Sequence, residues 1–201
     1  MFEDKDQIDG IFRALAEQLK AEVVNHMELV VCGGVALNVL GLVRRRTQDV
    51  DIVAIAKKDS AGETVLEITE RLDDALLRAA RKVQKDFNLR EDWLNAKTAS
   101  VIHFGLPADL IKRVETRQYQ GNLIIHFLGR YDQIHFKLFA AFDSEGRRSA
   151  HLSDLLALSP RMEEIEAAAG WILTRDASDF YKHALKDFLV QIGFKNVAER
   201  F

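Results

Sequence analysis

The stretch Glu28 to Ala54, ELVVCGGVALNVLGLVRRRTQDVDIVA, constrains the fold more than any other part of the chain. It reads as a strand, a glycine turn, a short helix, a basic loop and a second strand. The second strand carries Asp49 and Asp51 with Val50 between them. Side chains on a strand alternate faces, so both carboxylates point the same way while Val50, Ile52 and Ala54 point into a core. Two carboxylates held side by side on one face form a site for a divalent cation, using hard oxygen ligands. Upstream, Gly33 and Gly34 follow the apolar run Leu29–Cys32 and open a helix. Glycines there let the backbone approach a ligand closely, and the N–H groups of a helix start suit phosphate. Metal carboxylates beside a phosphate cradle point to chemistry on a nucleotide.

Gly33, Gly34, Gly41, Arg46, Thr47, Asp49 and Asp51 spell GG–x6–G–x4–R-T-x-D-x-D. This pattern resembles the first motif of the minimal nucleotidyltransferases of the DNA polymerase β-like superfamily, in particular the AbiEii-type toxin nucleotidyltransferases and their relatives. A second block, Ile134 to Leu158, resembles the C-terminal motif of the same group. It places Lys137 in K-L-x-A, Arg147 and Arg148 in the turn that follows, and Asp154 in D-L-x-x-L. Where many relatives show R-D-h-x-D, this chain reads Ala150-His151-Leu152-Ser153-Asp154, so a histidine replaces the first acid. The resemblance implies an α+β fold, with a small mixed β-sheet flanked by helices and a helical C-terminal half. Residues 1–130 would form the nucleotidyltransferase-like core, and residues 131–201 a helical part packed on it as a single structural unit.

The resemblance also implies an activity: transfer of a nucleoside monophosphate from a nucleoside triphosphate to an acceptor, with Mg²⁺ as cofactor. Asp49 and Asp51 would bind the metal, and Gly33, Gly34, Arg46 and Thr47 the nucleotide. Lys137 and Asp154 would complete the catalytic set; the competing reading makes them a structural ion pair between two helices. The acceptor could be an RNA end, a protein hydroxyl or a small molecule. The AbiEii-type relatives add a toxin role with an antitoxin partner. The alternative function is a catalytically inactive nucleotide-binding or regulatory protein on the same fold, and a third is a binding module whose aspartates are structural.

Composition narrows the class further. A chain of 201 residues normally makes one domain, or one domain with a helical extension. Its net charge of -3 gives no global attraction to nucleic acid or anionic membrane, so any such contact needs a local patch. Cys32 is the only cysteine, which excludes an intramolecular disulfide and fits a reducing cytoplasm. The acidic start MFEDKDQIDG does not read as a signal peptide. No apolar run approaches the roughly 18–20 residues that span a bilayer, so no membrane partner is expected.

Along the chain, Ile8, Ile11, Phe12, Leu15, Leu19 and Val23 form one stripe of a first helix over about residues 4–26. Asn38 reads as a polar surface position, and Arg44 and Arg45 as a solvated loop. Val65, Ile68, Leu72, Leu76 and Val83 predict a second helix over about residues 62–87, with Arg78, Arg81, Lys82 and Lys85 on its outer face. Residues 88–100 read as a loop in which Trp93 fills the core and Asn95 holds the backbone or borders the nucleotide. Residues 101–104 predict a short strand, and residues 115–120 and 122–128 a strand pair. A polymerase β-like site expects a third carboxylate on a later strand, but Leu123–Phe127 has His126 where an acid would stand. Glu115 and Asp132 are the acids that could replace it. His126 is either a satisfied half-buried histidine or a base for the acceptor hydroxyl.

Overall fold

The computed structural model describes Phe2, residues 4–143 and residues 149–201; Arg147 and Arg148 lie outside the described residues. The chain divides into two compact units, Met1–Gly129 and Arg130–Phe201. Among the described residues it is α+β, with nine α-helices and one six-stranded mixed sheet. No helix among them is long and apolar enough to cross a membrane.

The first unit opens with α1 (Lys5–Ala21), capped by the Asp4 carboxylate, which accepts from the Gln7 amide at 2.8 Å. Ile8, Ile11, Phe12, Leu15 and Leu19 are buried along one face, as the stripe requires. The helix ends at Ala21, several residues before His26. Val24 N–H donates to the Leu19 carbonyl and Val23 N–H to that of Lys20, which closes the last turn with Val23 at φ +63°. That left-handed position normally takes glycine, and here an exposed valine occupies it at a cost of about 1–2 kcal/mol.

The sheet is built from β1 (Met27–Cys32), β2 (Val50–Lys58), β3 (Thr64–Ile68), β4 (Leu94–Asn95), β5 (Glu115–Tyr119) and β6 (Leu123–Phe127). Its order is β3-β2-β1-β6-β5, and β4 pairs with the start of β2, ahead of the stretch that β3 occupies. β1 runs parallel to β6 and β2 parallel to β4; the other pairs are antiparallel. Leu29, Val31, Val50, Ile52, Leu123, Ile125 and Phe127 share a core with α1 and with α3 (Asp74–Asp86). The register leaves Glu28, Cys32, Asp51, Asn95, Thr116 and His126 on the opposite face.

Three local expectations are corrected. The second helix begins at Asp74, not near residue 62, because Val65 and Ile68 lie in β3, which pairs with β2. Val65 is exposed and Ile68 half-buried, so their three-residue spacing spans two faces of a strand and not one helical stripe. Residues 88–100 are not all loop: β4 and the start of α4 (Lys97–Val101) fall within them. The strand expected at residues 101–104 is absent; α4 ends there in a turn. The β5–β6 hairpin forms as read, turning through Gln120 and Gly121, both at positive φ.

The second unit is helical: α5 (Arg130–Asp143), α6 (Ala150–Ala157), α7 (Met162–Leu173), α8 (Asp179–Gln191) and α9 (Lys195–Ala198). Arg130 ties its first helix to the α6–α7 connection. Its guanidinium donates to the Leu158 and Ser159 carbonyls and makes a forked pair with Glu164 at 2.5 and 3.0 Å. Trp171 of α7 packs on the rings of His135, Phe136 and Phe139 along α5. Ser149 caps α6 and Ser178 caps α8, each accepting from an amide three residues on.

Candidate active site

Asp51 sits at the start of β2 between two neighbours, Cys32 on β1 and Asn95 on β4. Asp49 immediately precedes the strand. Both aspartates are half-buried and alternate with the fully buried Val50 and Ile52, the pattern of two carboxylates on one face. Thr47 donates its hydroxyl to Asp49 Oδ1 at 3.2 Å. Thr47 is itself fixed, because its backbone exchanges hydrogen bonds of 2.8 and 3.2 Å with Phe2.

The glycine turn lies against this acidic strand. Gly33 has φ +73°, and a Cβ there would come within 2.5 Å of Asp51 Oδ2. A Cβ on Gly34 would meet Thr47 Oγ1 at 2.7 Å, Thr47 Cβ at 2.8 Å and the Arg45 guanidinium at 3.0 Å. Only residues without a side chain let these four groups converge. The helix that follows, α2 (Gly33–Val39), has seven residues, so its dipole adds little to the cradle.

The structure thus gathers Gly33, Gly34, Thr47, Asp49 and Asp51 into one place, while Arg46 is exposed beside them. Sequence reasoning missed two members. Asn38 is buried, not a surface position: its side chain donates to the Arg45 carbonyl at 2.7 Å and accepts from the Arg45 amide at 3.1 Å. Arg45 is half-buried rather than solvated, with its guanidinium against Gly34. The motif pattern singles out Arg46, and nothing in the run Arg44-Arg45-Arg46 marks Arg45, so no sequence signal could have found it.

Among the described residues, no group of three or more His, Cys, Asp or Glu side chains stands in position to hold a metal ion. Glu115 accepts from Arg117 at 2.7 Å. The strand neighbour of Asp51 on β4 is the carboxamide of Asn95, whose oxygen accepts from the Lys97 amide at 3.0 Å. Trp93 fills the core and donates to the Ala80 carbonyl at 3.1 Å. His126 is satisfied on both ring nitrogens, by Thr116 Oγ1 at 2.9 Å and Glu28 Oε2 at 2.8 Å. Burial pushes the Glu28 carboxyl up, but hydrogen bonds from His126 and His26 outweigh it and hold the group below the usual carboxylate range. Both ring nitrogens are thus committed to partners within the sheet.

Two carboxylates suit Mg²⁺, which keeps several waters and completes its shell with substrate phosphates rather than with an all-protein cage. Asp49 and Asp51 would hold it. In the second unit, Lys137 Nζ meets Asp154 Oδ2 at 2.7 Å, joining α5 to α6, and both side chains are almost fully buried. The family model described as "nucleotidyltransferase of unknown function" (DUF6036) matches residues 10–169. No curated protein and no solved structure matches the chain.

Proposed function

This chain belongs to that family of nucleotidyltransferases of unknown function, and from the membership we propose that it transfers a nucleoside monophosphate from a nucleoside triphosphate to an acceptor. The observation that supports the proposal is the close approach of Asp51 Oδ2 to Gly33, where an added Cβ would come within 2.5 Å of it, so that the residues read as metal ligand and phosphate cradle are neighbours. In the reaction an acceptor oxygen attacks the α-phosphorus, the bond to the β-phosphate oxygen breaks, and pyrophosphate leaves. The acceptor proton passes to solvent or to a base on the acceptor's side. Asp49 and Asp51 hold the cation, Thr47 fixes the orientation of Asp49, and Gly33 and Gly34 let the phosphates approach. Mg²⁺, when bound, supplies charge neutralisation on the phosphates. Positioning and electrostatics then provide most of the rate, as in other phosphoryl and nucleotidyl transfers.

The reading is tested with Mg²⁺ and the four ribonucleoside triphosphates, measuring binding by calorimetry and label transfer to RNA and protein acceptors. Asp51→Asn is expected to lower transfer by about 10³-fold. Binding of a triphosphate without any transfer would establish the inactive nucleotide-binding alternative instead. The resemblance to AbiEii-type proteins extends the proposal to a cytoplasmic toxin with an antitoxin partner. Expression of the wild type should then arrest growth, and Asp51→Asn should not.

The resemblance assigns Lys137 and Asp154 to the same catalytic set. Their burial favours the structural reading, in which the pair fastens α5 to α6.

A further inference from the structure

The run Arg44-Arg45-Arg46 presents three guanidinia, and the motif pattern points to Arg46. The geometry singles out its neighbour. Arg45 is the one whose Nη2 lies 3.0 Å from the position a Cβ on Gly34 would take, beside the Thr47 hydroxyl. Its Nη1 donates to the Arg46 carbonyl at 3.2 Å, which sets the plane of the guanidinium. The backbone beneath it is clamped at the same residue, because Asn38 bonds both the amide and the carbonyl of Arg45. Two residues on, the Phe2–Thr47 bridge clamps the loop again. A surface loop that merely connects α2 to β2 has no need of a buried carboxamide committed to one of its arginines.

We propose that Arg45 is the guanidinium that grips the triphosphate of the bound nucleotide, and that Asn38 is the positioning residue that holds it there. This rests on the nucleotidyltransferase reading and deepens it. The Arg45 guanidinium stands beside Gly34 and beside Thr47, whose hydroxyl bonds Asp49, so a phosphate bound at this turn would meet it. A planar guanidinium offers two parallel N–H donors to a phosphate, which an ammonium cannot reproduce. Asn38 fixes the backbone and the bond to the Arg46 carbonyl restrains the guanidinium, so part of the ordering cost of binding is already met.

The test compares Mg²⁺-dependent binding of the tightest of the four ribonucleoside triphosphates with that of its monophosphate. Arg45→Ala should weaken the triphosphate by about tenfold or more and the monophosphate by less than about twofold. Arg45→Lys should restore part of the loss, and Arg46→Ala should lose less than Arg45→Ala. Asn38→Ala should weaken the triphosphate in the wild type but add nothing in the Arg45→Ala background, a coupling that a purely structural role for Asn38 would not produce. Melting temperatures of the variants exclude unfolding as the cause. Arg45→Ala binding the triphosphate like wild type, or an equal loss for both phosphate forms, would overturn the assignment and leave the nucleotidyltransferase reading standing. A wild type that binds none of the four triphosphates would overturn both.

Discussion

The two motif blocks hold their charges in different ways. In the first, Asp49 and Asp51 stay half-exposed on the lip of the sheet, touched by a threonine hydroxyl and the bare backbone of Gly33. In the second, Lys137 and Asp154 face each other at 2.7 Å with side chains exposed to only 5% and 2%. A half-exposed carboxylate can be reached from solvent. A buried ion pair has already spent both charges on each other, against a desolvation cost of several kcal/mol per ion. The contrast fits the proposed cation binding at the first pair and the fastening of α5 to α6 by the second.

The largest effect that could break this comparison comes from Lys137→Ala. Removing the cation leaves a buried carboxylate without its ammonium, and the expected loss is about 3–5 kcal/mol in urea unfolding of the full chain. Triphosphate binding by the folded fraction should survive. Unchanged stability with lost binding would move the pair into the active site and erase the contrast. Replacing both residues, Lys137→Met with Asp154→Leu, should recover most of the stability, since an apolar pair of similar volume avoids the desolvation cost.

A smaller effect sharpens the first side of the comparison. Gly33→Ala puts a methyl group where Asp51 Oδ2 now lies and strains a left-handed backbone. About 1–2 kcal/mol of stability should be lost from the backbone term. The clash should also displace Asp51, so binding of Mn²⁺ with nucleotide, followed by electron paramagnetic resonance, should weaken more than stability alone explains. Binding that falls only in step with stability would show that the glycine serves the fold and not the site.

The smallest effect is a pH dependence in the second unit. The Arg130 fork holds the Glu164 carboxyl below its ordinary value of 4.5, with burial opposing it. The folded value is depressed, so the stability from this pair is fully present above pH 4.5 and is lost as pH falls through the lowered value. Glu164→Gln should remove that part of the acid sensitivity, worth about 1 kcal/mol, while leaving the unfolding curve at neutral pH with a constant offset. An acid limb identical in wild type and variant would show that the fork carries no net stabilisation.

Much of the fold was legible because its signals are local. The apolar stripe of α1, the glycine turn, the alternation around Asp49 and Asp51, and the β5–β6 hairpin all follow from spacing within a few residues. The failures occurred where a short element depends on a distant partner. β3 is a strand because β2 lies beside it, and the two residues of β4 are a strand because Val50 and Asp51 supply their hydrogen bonds. No periodicity fits in two residues. For the same reason the helix expected from residue 62 begins at Asp74, once β3 has claimed Val65 and Ile68.

The sequence by itself determined the family pattern, the α+β class and which residues the proposed metal and phosphate site draws on. It did so because glycines, paired aspartates and apolar alternation act through the chain's own covalent geometry. Which of three adjacent arginines meets Gly34, whether Asn38 faces water or the loop, and whether His126 is open to a substrate were decided only in three dimensions. Each depends on hydrogen bonds between groups separated along the chain: Asn38 to Arg45, Thr47 to Phe2, and Glu28 to His126. A side chain's chemistry is written in its type, but its availability is set by the partners that folding brings to it.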